Sequence, residues 1–238
     1  MIMIKIKKII PAALLLTSIS SAALADNWNV GASASYANID GTANDTQVGP
    51  TATVAQTRGA NSGNAEFPFA SVFVEYVKTI DKNLDLVFGL DYVPFKAEIE
   101  SKSFSDRSIE LAGAADSTAT TGTRKATLDL ENYATLYLQP TYKIGGGTAV
   151  FGKVGYIHGD VKISGSNTAT GSTISAKDTL NGYVVGLGVQ HNINKNVFVR
   201  LEGSYTDHDN VSATDSKGTK FTADSELIAG KLSIGYSF

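Results

Sequence analysis

The chain has 238 residues, no cysteine and a formal net charge of −3, with 18% charged and 42% hydrophobic residues. The missing cysteines exclude a disulfide scaffold, a cysteine zinc site and thiol catalysis, and an isoelectric point near 5.6 excludes the basic footprint of a nucleic-acid binder. Charge is sparse against the roughly 25% of average soluble domains, yet the mean hydropathy is only −0.02, so the chain is neither disordered nor uniformly greasy.

The first residues read as a secretory signal. Lys5, Lys7 and Lys8 precede an apolar run from Ile9 to Leu16, a small polar stretch from Thr17 to Ser21, and Ala23-Leu24-Ala25 before Asp26. A charged start, a short apolar core and an A-x-A site are the three parts of such a signal. The apolar run falls far short of the ~20 residues of a spanning helix. The expected organisation is a cleaved segment over 1–25 and one domain over 26–238. Cleavage removes three lysines and no acid, which makes the mature chain more acidic.

From there the hydrophobic pattern has period two, the period of strands. Eight segments show it in turn. The first sets Trp28, Val30, Ala32, Ala34 and Tyr36 against Asn29, Gly31, Ser33 and Ser35. The second, near 67–80, sets Val72, Val74 and Tyr76 against Ser71, Phe73 and Glu75. The third sets Leu86, Phe88, Leu90 and Tyr92 against Asp85, Gly89 and Asp91. The fourth sets Ala126, Leu128, Leu130, Ala134, Leu136 and Leu138 against Asp129, Glu131, Tyr133 and Tyr137. The fifth sets Val150, Val154 and Tyr156 against Phe151 and Lys153. The sixth sets Tyr183, Val185, Leu187 and Val189 against three glycines. The seventh sets Val199, Leu201 and Tyr205 against Arg200, Glu202 and His208. The eighth sets Ile228, Leu232, Ile234, Tyr236 and Phe238 against Lys231, Ser233 and Gly235.

Connections alternate between short (81–83, 145–147, 192–196) and long (39–65, 100–123, 164–178, 209–221). Tight turns at one end and long loops at the other are the mark of an outer-membrane barrel. Weak alternation from Val48 to Val54 could add a further hairpin. The aromatics separate a barrel from a soluble sandwich. Tyr36, Tyr92, Tyr156, Tyr183 and Tyr205 fall at the loop ends of their strands, and Trp28, Tyr76, Tyr236 and Phe238 at the turn ends. Two aromatic girdles around an apolar band are what a bilayer requires. The strand from Trp28 to Tyr36, at ~3.3 Å per residue and a tilt near 40°, spans roughly 20 Å of height. The expected fold is all-β, an eight-stranded antiparallel up-and-down transmembrane β-barrel, closed because a membrane tolerates no sheet edge.

The pattern resembles the small eight-stranded outer-membrane barrels, among them the transmembrane domain of outer membrane protein A and the opacity-, X- and W-type proteins. The sharpest element is the end, Lys231-Leu232-Ser233-Ile234-Gly235-Tyr236-Ser237-Phe238. A terminal Phe238 with Tyr236 two residues before it resembles the signal read by the barrel-assembly machinery, although Ser233 stands where the family often has glycine. The resemblance implies a bacterial outer-membrane location and a monomer. It also implies contacts with outer-membrane lipid and lipopolysaccharide, and transient ones with the assembly machinery and periplasmic chaperones. With no peptidoglycan-binding domain after Phe238 in this sequence, cell-wall anchoring is not carried over.

The inward residues bear the chemistry. An eight-stranded barrel is just wide enough for its own side chains. Glu131, Lys153, Arg200, Glu202 and Lys231 fall near mid-height by strand counting, and buried charges at one depth are costly unless paired. A central ion-pair network is therefore expected. Counting Glu75, Asp85, Asp91, Asp129, Glu131 and Glu202 against the three inward bases, any pore would mildly prefer cations. Phe73, Tyr133, Tyr137, Phe151 and Phe198 either fill the lumen or line a narrow passage for small or apolar solutes, as in W-type barrels. A lipid-acting barrel enzyme is the weakest reading. His208 lies near Ser204, Thr206, Asp207 and Asp209, but no zinc-protease helix motif and no nucleophile-elbow motif is present. No catalytic residue, metal site or cofactor is expected.

Overall fold

The computed structural model describes residues 27–47, 56–107, 121–167, 172–214, 216 and 220–238. The signal segment and the Val48–Val54 hairpin of the sequence reading lie outside them. The described chain is strand and turn throughout: β1 Asn27–Gln47, β2 Gln56–Asp81, β3 Leu84–Val93, β4 Ala97–Arg107, β5 Thr121–Gly145, β6 Thr148–Asn167, β7 Ser172–Asn192, β8 Val197–Thr214 and β9 Lys220–Ser237. Each strand pairs antiparallel with its neighbours, and β9 returns to β1 from Asn29↔Ser237 to Thr46↔Lys220, which closes the ring.

Nine strands occupy eight places. β3 pairs with the turn-end half of β5, from Val93↔Tyr133 to Leu84↔Tyr142. β4 pairs with the loop-end half, from Ala97↔Leu130 to Arg107↔Thr121. Pro94 lies between them; it has no N–H to donate to a ladder, and the strand is interrupted there. β3 and β4 are thus one wall position in two pieces, and each of the eight alternating segments of the sequence holds one position.

The long loops expected from the sequence are in large part strand. β1 and β2 stay paired from Ile39↔Ala65 up to Gln47↔Gln56, and β6 and β7 to Asn167↔Ser172. The uninterrupted strands run 18 to 26 residues, against ~9–11 for a spanning strand. The wall therefore continues well beyond the bilayer as a collar. Where both faces meet water, Gly, Ser, Thr and Asn carry the backbone ladder without producing any alternation.

One bulge changes the side-chain count. The β5–β6 register slips between Glu131 and Ala134, with Asn132 at φ 53°, a left-handed conformation that Asn tolerates better than most residues. Because side chains alternate with period two, a one-residue slip turns the rest of the strand over. Above the bulge Leu130 pairs with buried Val161 and faces the lumen, whereas Glu131 pairs with Asp160 and Asp129 with exposed Lys162. Leu130 is inside, not outside as the simple count has it; Glu131 and the buried Asp129 are turned away from the lumen. At the turn end Gly145, Gly146 and Gly147 all take positive φ (98°, 62° and 75°), a tight β5–β6 turn that L-residues resist.

Candidate functional site: the barrel lumen

The lumen is built in layers. Nearest the turn end, Lys143 Nζ lies 2.8 Å from Asp85 Oδ1, which also accepts from Thr79 Oγ1 at 2.9 Å. Above it is the most buried ion pair among the described residues. Arg200 makes a two-pronged bridge to Glu75, Nη1 to Oε1 at 2.6 Å and Nη2 to Oε2 at 3.1 Å. Glu75 also accepts from Asn29 Nδ2 at 2.9 Å and from the Tyr137 hydroxyl at 2.6 Å. Arg200 donates in addition to Gln190 Oε1 at 2.8 Å. Glu75 has no exposed surface.

Aromatic rings enclose this pair. The guanidinium carbon of Arg200 lies 5.6, 5.3 and 5.0 Å from the ring centres of Phe73, Phe151 and Phe198, within the range of a cation–π contact. The rings fit because the facing wall has no side chains. Phe73 lies against Gly31, Phe151 against Gly188, Phe198 against Gly235 and Tyr137 against Gly89, each so close that a Cβ would overlap the ring.

The next layer holds two more pairs, Lys153 with Glu202 and Lys231 Nζ with Asp91 Oδ2, the latter at 2.9 Å. Lys153 Nζ also sits 4.3 Å above the Tyr137 ring. Over them is a small cavity of about 40 Å³, lined by Asp91, Lys153, Glu202 and Lys231 together with Tyr133, Ile157 and Leu227. An apolar cluster then spans the mouth: Ala37, Phe67, Val93, Leu130, Tyr133, Ile157, Leu180, Val184, Leu227 and Ala229, all buried.

The structure brings together four of the five charges expected near mid-height, with partners the strand count did not specify. Lys153 and Glu202 pair with each other, Arg200 takes Glu75, and Lys231 takes Asp91. Glu131 is absent from the lumen because of the Asn132 bulge. It neighbours Asp160, whose carboxylate accepts from Asn132 Nδ2 at 2.8 Å and lies 3.0 Å from Lys177 Nζ. These two partners, the Asn132 amide first, hold the half-buried Asp160 carboxyl below its ordinary range.

The excess of lumenal acid inferred from sequence is not there. Asp129 is buried but, by its pairing with exposed Lys162, turned away from the lumen, its Oδ2 2.6 Å from Lys96 Nζ, and Lys143 supplies a fourth base. Glu75, Asp85, Asp91 and Glu202 thus face Lys143, Lys153, Arg200 and Lys231, one for one. Sequence reasoning missed Lys143, Asn29 and Gln190. Their inward parity and polarity were available as a signal, but cross-lumen partners are set by barrel closure.

His208 lies at the mouth, buried, with Nε2 3.3 Å from the Tyr133 hydroxyl and Nδ1 3.2 Å from Ser225 Oγ. Among the described residues no carboxylate bonds either ring nitrogen. Among the described residues no group of three His, Cys, Asp or Glu could hold a metal ion.

The outer face is apolar between two aromatic rows. Trp28, Tyr36, Tyr92, Tyr156, Tyr183, Tyr205 and Tyr236 are exposed there, and half-buried Tyr76 packs edge-on against Trp28 with ring centres 5.4 Å apart. Tyr142 and Phe88 join the turn-end row, with Phe238 edge-on to Tyr236 at 5.2 Å.

The model for the outer membrane protein beta-barrel domain matches residues 11–224. The chain has no match among curated proteins. Among solved structures it is similar to the outer membrane protein OprG of Pseudomonas aeruginosa, at 13% identity over 89% of this chain and 95% of that one, TM-score 0.51. It is also similar to Ail, the attachment invasion locus protein of Yersinia pestis, at 15% identity over 89% and 99%, TM-score 0.43. The likeness to OprG is one of fold. With antiparallel strands filling the eight places of one ring and a family match over most of its length, the chain belongs to the outer membrane protein beta-barrel domain family and resides in the bacterial outer membrane.

Proposed function

We propose that this chain is a structural barrel, closed to solutes, that carries its collar and connecting loops at the cell surface. The observation behind this reading is the Arg200–Glu75 bridge, which lies across the lumen with no exposed surface on Glu75. Three further features support it. Among the described residues the lumenal charges balance, so none of these is left over to bind a mobile ion. The remaining cavity of about 40 Å³ holds at most a few waters. The apolar cluster at the mouth offers a hydrated ion nothing to replace its water.

In this reading the outward aromatics Trp28, Tyr36, Tyr76, Tyr92, Tyr156, Tyr183, Tyr205 and Tyr236 anchor the wall at the two interfaces. The face between and above them meets lipid and lipopolysaccharide, and Tyr236 and Phe238 serve as the assembly signal. Planar-bilayer conductance of the refolded protein tests the closed lumen. A silent membrane is the expected result. Steady openings from the unaltered protein would overturn it in favour of a narrow channel for small or apolar solutes.

A further inference from the structure

β8 has a hinge at the loop end, and His208 stands at it. The β7–β8 ladder begins at Asn192↔Phe198 and ends at Gly182↔His208. On the other side the β8–β9 register slips between His208 and Val211. Among the described residues His208 is thus the last of β8 to be paired on both sides. Beyond the slip β8 resumes its ladder with β9, but only isolated bonds tie it to β7. The Asp178 carboxylate accepts from the Ser212 N–H at 2.7 Å, and Ser216 exchanges two bonds with Thr173. The His208 ring lies edge-on to Tyr133, with centres 6.3 Å apart. It stands three residues beyond Tyr205 of the loop-end aromatic row, above the bilayer.

We infer that His208 is an acid-released latch: on taking up a second proton its ring leaves the place between Tyr133 and Ser225 and opens the mouth of the lumen to the outer solution. The surroundings suit a neutral ring. Both nitrogens are bonded to hydroxyls, which donate or accept but carry no charge. The elements packed against the ring add no free counter-charge. β5 presents Tyr133, and Asp91 beneath it is held by Lys231 at 2.9 Å. β9 presents Ser225, flanked by exposed Asp224 and Glu226; β7 presents Gly182. On β8 itself Asp207 and Asp209 are exposed. Burial holds His208 below its ordinary value, against the pull of Ser225, Asp207 and Asp209. A buried cation without a partner is costly, whereas a ring turned outward meets water and these acids. The closed mouth therefore binds fewer protons than the open one. By linkage it keeps its stability above the ordinary histidine value of about 6.5 and loses it as pH falls below that. Release uncovers Tyr133 and the small cavity with the Lys153–Glu202 and Lys231–Asp91 pairs. The Arg200–Glu75 bridge lies deeper, so the latch stands whether or not the lumen conducts.

The chain has no cysteine, so Ala229→Cys, buried in the lining of that cavity, introduces the only thiol. The protein is displayed in the outer membrane and treated with a small charged methanethiosulfonate at neutral and at acid pH. The same thiol in a His208→Gln chain, whose amide keeps both hydrogen bonds and does not titrate, cancels the pH dependence of the reagent. Heat-modifiable migration selects folded barrels, and only these are scored. The ratio of labelling rates, His208 over His208→Gln, is expected to be near one at neutral pH and to rise roughly tenfold at about pH 5. A His158→Gln chain, altered at an exposed histidine, is expected to keep the rise. A ratio near one at both pH values would overturn the inference, and so would a rise that His158→Gln abolishes. If His208→Gln does not fold, the ring resonances of the three histidines in the unaltered protein decide. His208 is expected to titrate in step with the labelling of Ala229→Cys. A His208 ring still neutral at about pH 5 would overturn the latch.

Discussion

Glu75 and Arg200 lie 125 residues apart in sequence and share two hydrogen bonds across the lumen. Neither strand alone specifies this pair; the closed ring does. Replacing Glu75 with Gln leaves the guanidinium buried among three phenyl rings without its counter-charge. Breaking a buried pair of this kind costs about 3–5 kcal/mol, expected as a lower urea midpoint for the barrel refolded in micelles. The double substitution Glu75→Met and Arg200→Met is expected to recover much of the loss, because it removes both charges and keeps the volume.

Glu131 and Glu202 were equivalent by strand counting and are not equivalent in the wall. Glu202→Gln strands Lys153 in the lumen and is expected to cost about as much as Glu75→Gln. Glu131→Gln, on the outer face above the aromatic row, is expected to fall within about 0.5 kcal/mol of the parent. Similar losses in the two urea curves would place Glu131 back inside the barrel.

The bulge can be tested at Asn132, whose φ of 53° disfavours a branched side chain. Asn132→Val is expected to destabilise by about 1–2 kcal/mol and Asn132→Gly by far less. A thermal unfolding series that ranks the two the other way would mean that β5 runs through without the slip.

Two glycine substitutions separate the inner wall from the outer. Gly89→Leu drives a side chain into Tyr137, the residue that donates to Glu75, and overpacking of that kind costs about 1–3 kcal/mol. Gly230→Leu points into lipid with no atom near its Cβ and is expected to be neutral or slightly stabilising in the same thermal assay.

The lipid band itself predicts a depth dependence. Leu187 is 73% exposed between the aromatic rows. Leu187→Arg is expected to cost roughly 2–4 kcal/mol in refolding into bilayers, while an arginine near the interface costs about 0–1 kcal/mol. Equal penalties at Leu187 and at a rim position such as Ile193 would argue against the band.

The eight wall positions were legible because lipid and lumen impose opposite demands on successive residues, as Leu86 to Tyr92 shows. That signal fails wherever the demands coincide. In the collar, past Ile39, the segment from Asp40 to Gln47 is almost wholly small and polar, so paired strand reads as loop. At Asn132 a single residue reverses the count, and nothing in the alternation before or after marks where. The ion pairs Lys231–Asp91 and Lys143–Asp85 join strands whose adjacency or opposition follows from closure. Composition could place their charges inside without saying which would meet.

The β1–β9 ladder also sets what the ends of the wall are. The Phe238 N–H donates to the Trp28 carbonyl at 2.9 Å, so the last residue and one of the first stand side by side at the turn end. Three tight turns already join strands there, and a short linker from Phe238 to Asn27 would be a fourth of the same kind. In a wall so closed no strand is intrinsically first. Reopened in the collar between Gln47 and Gln56, the ring would keep every pairing it has and change only the order in which its strands are made.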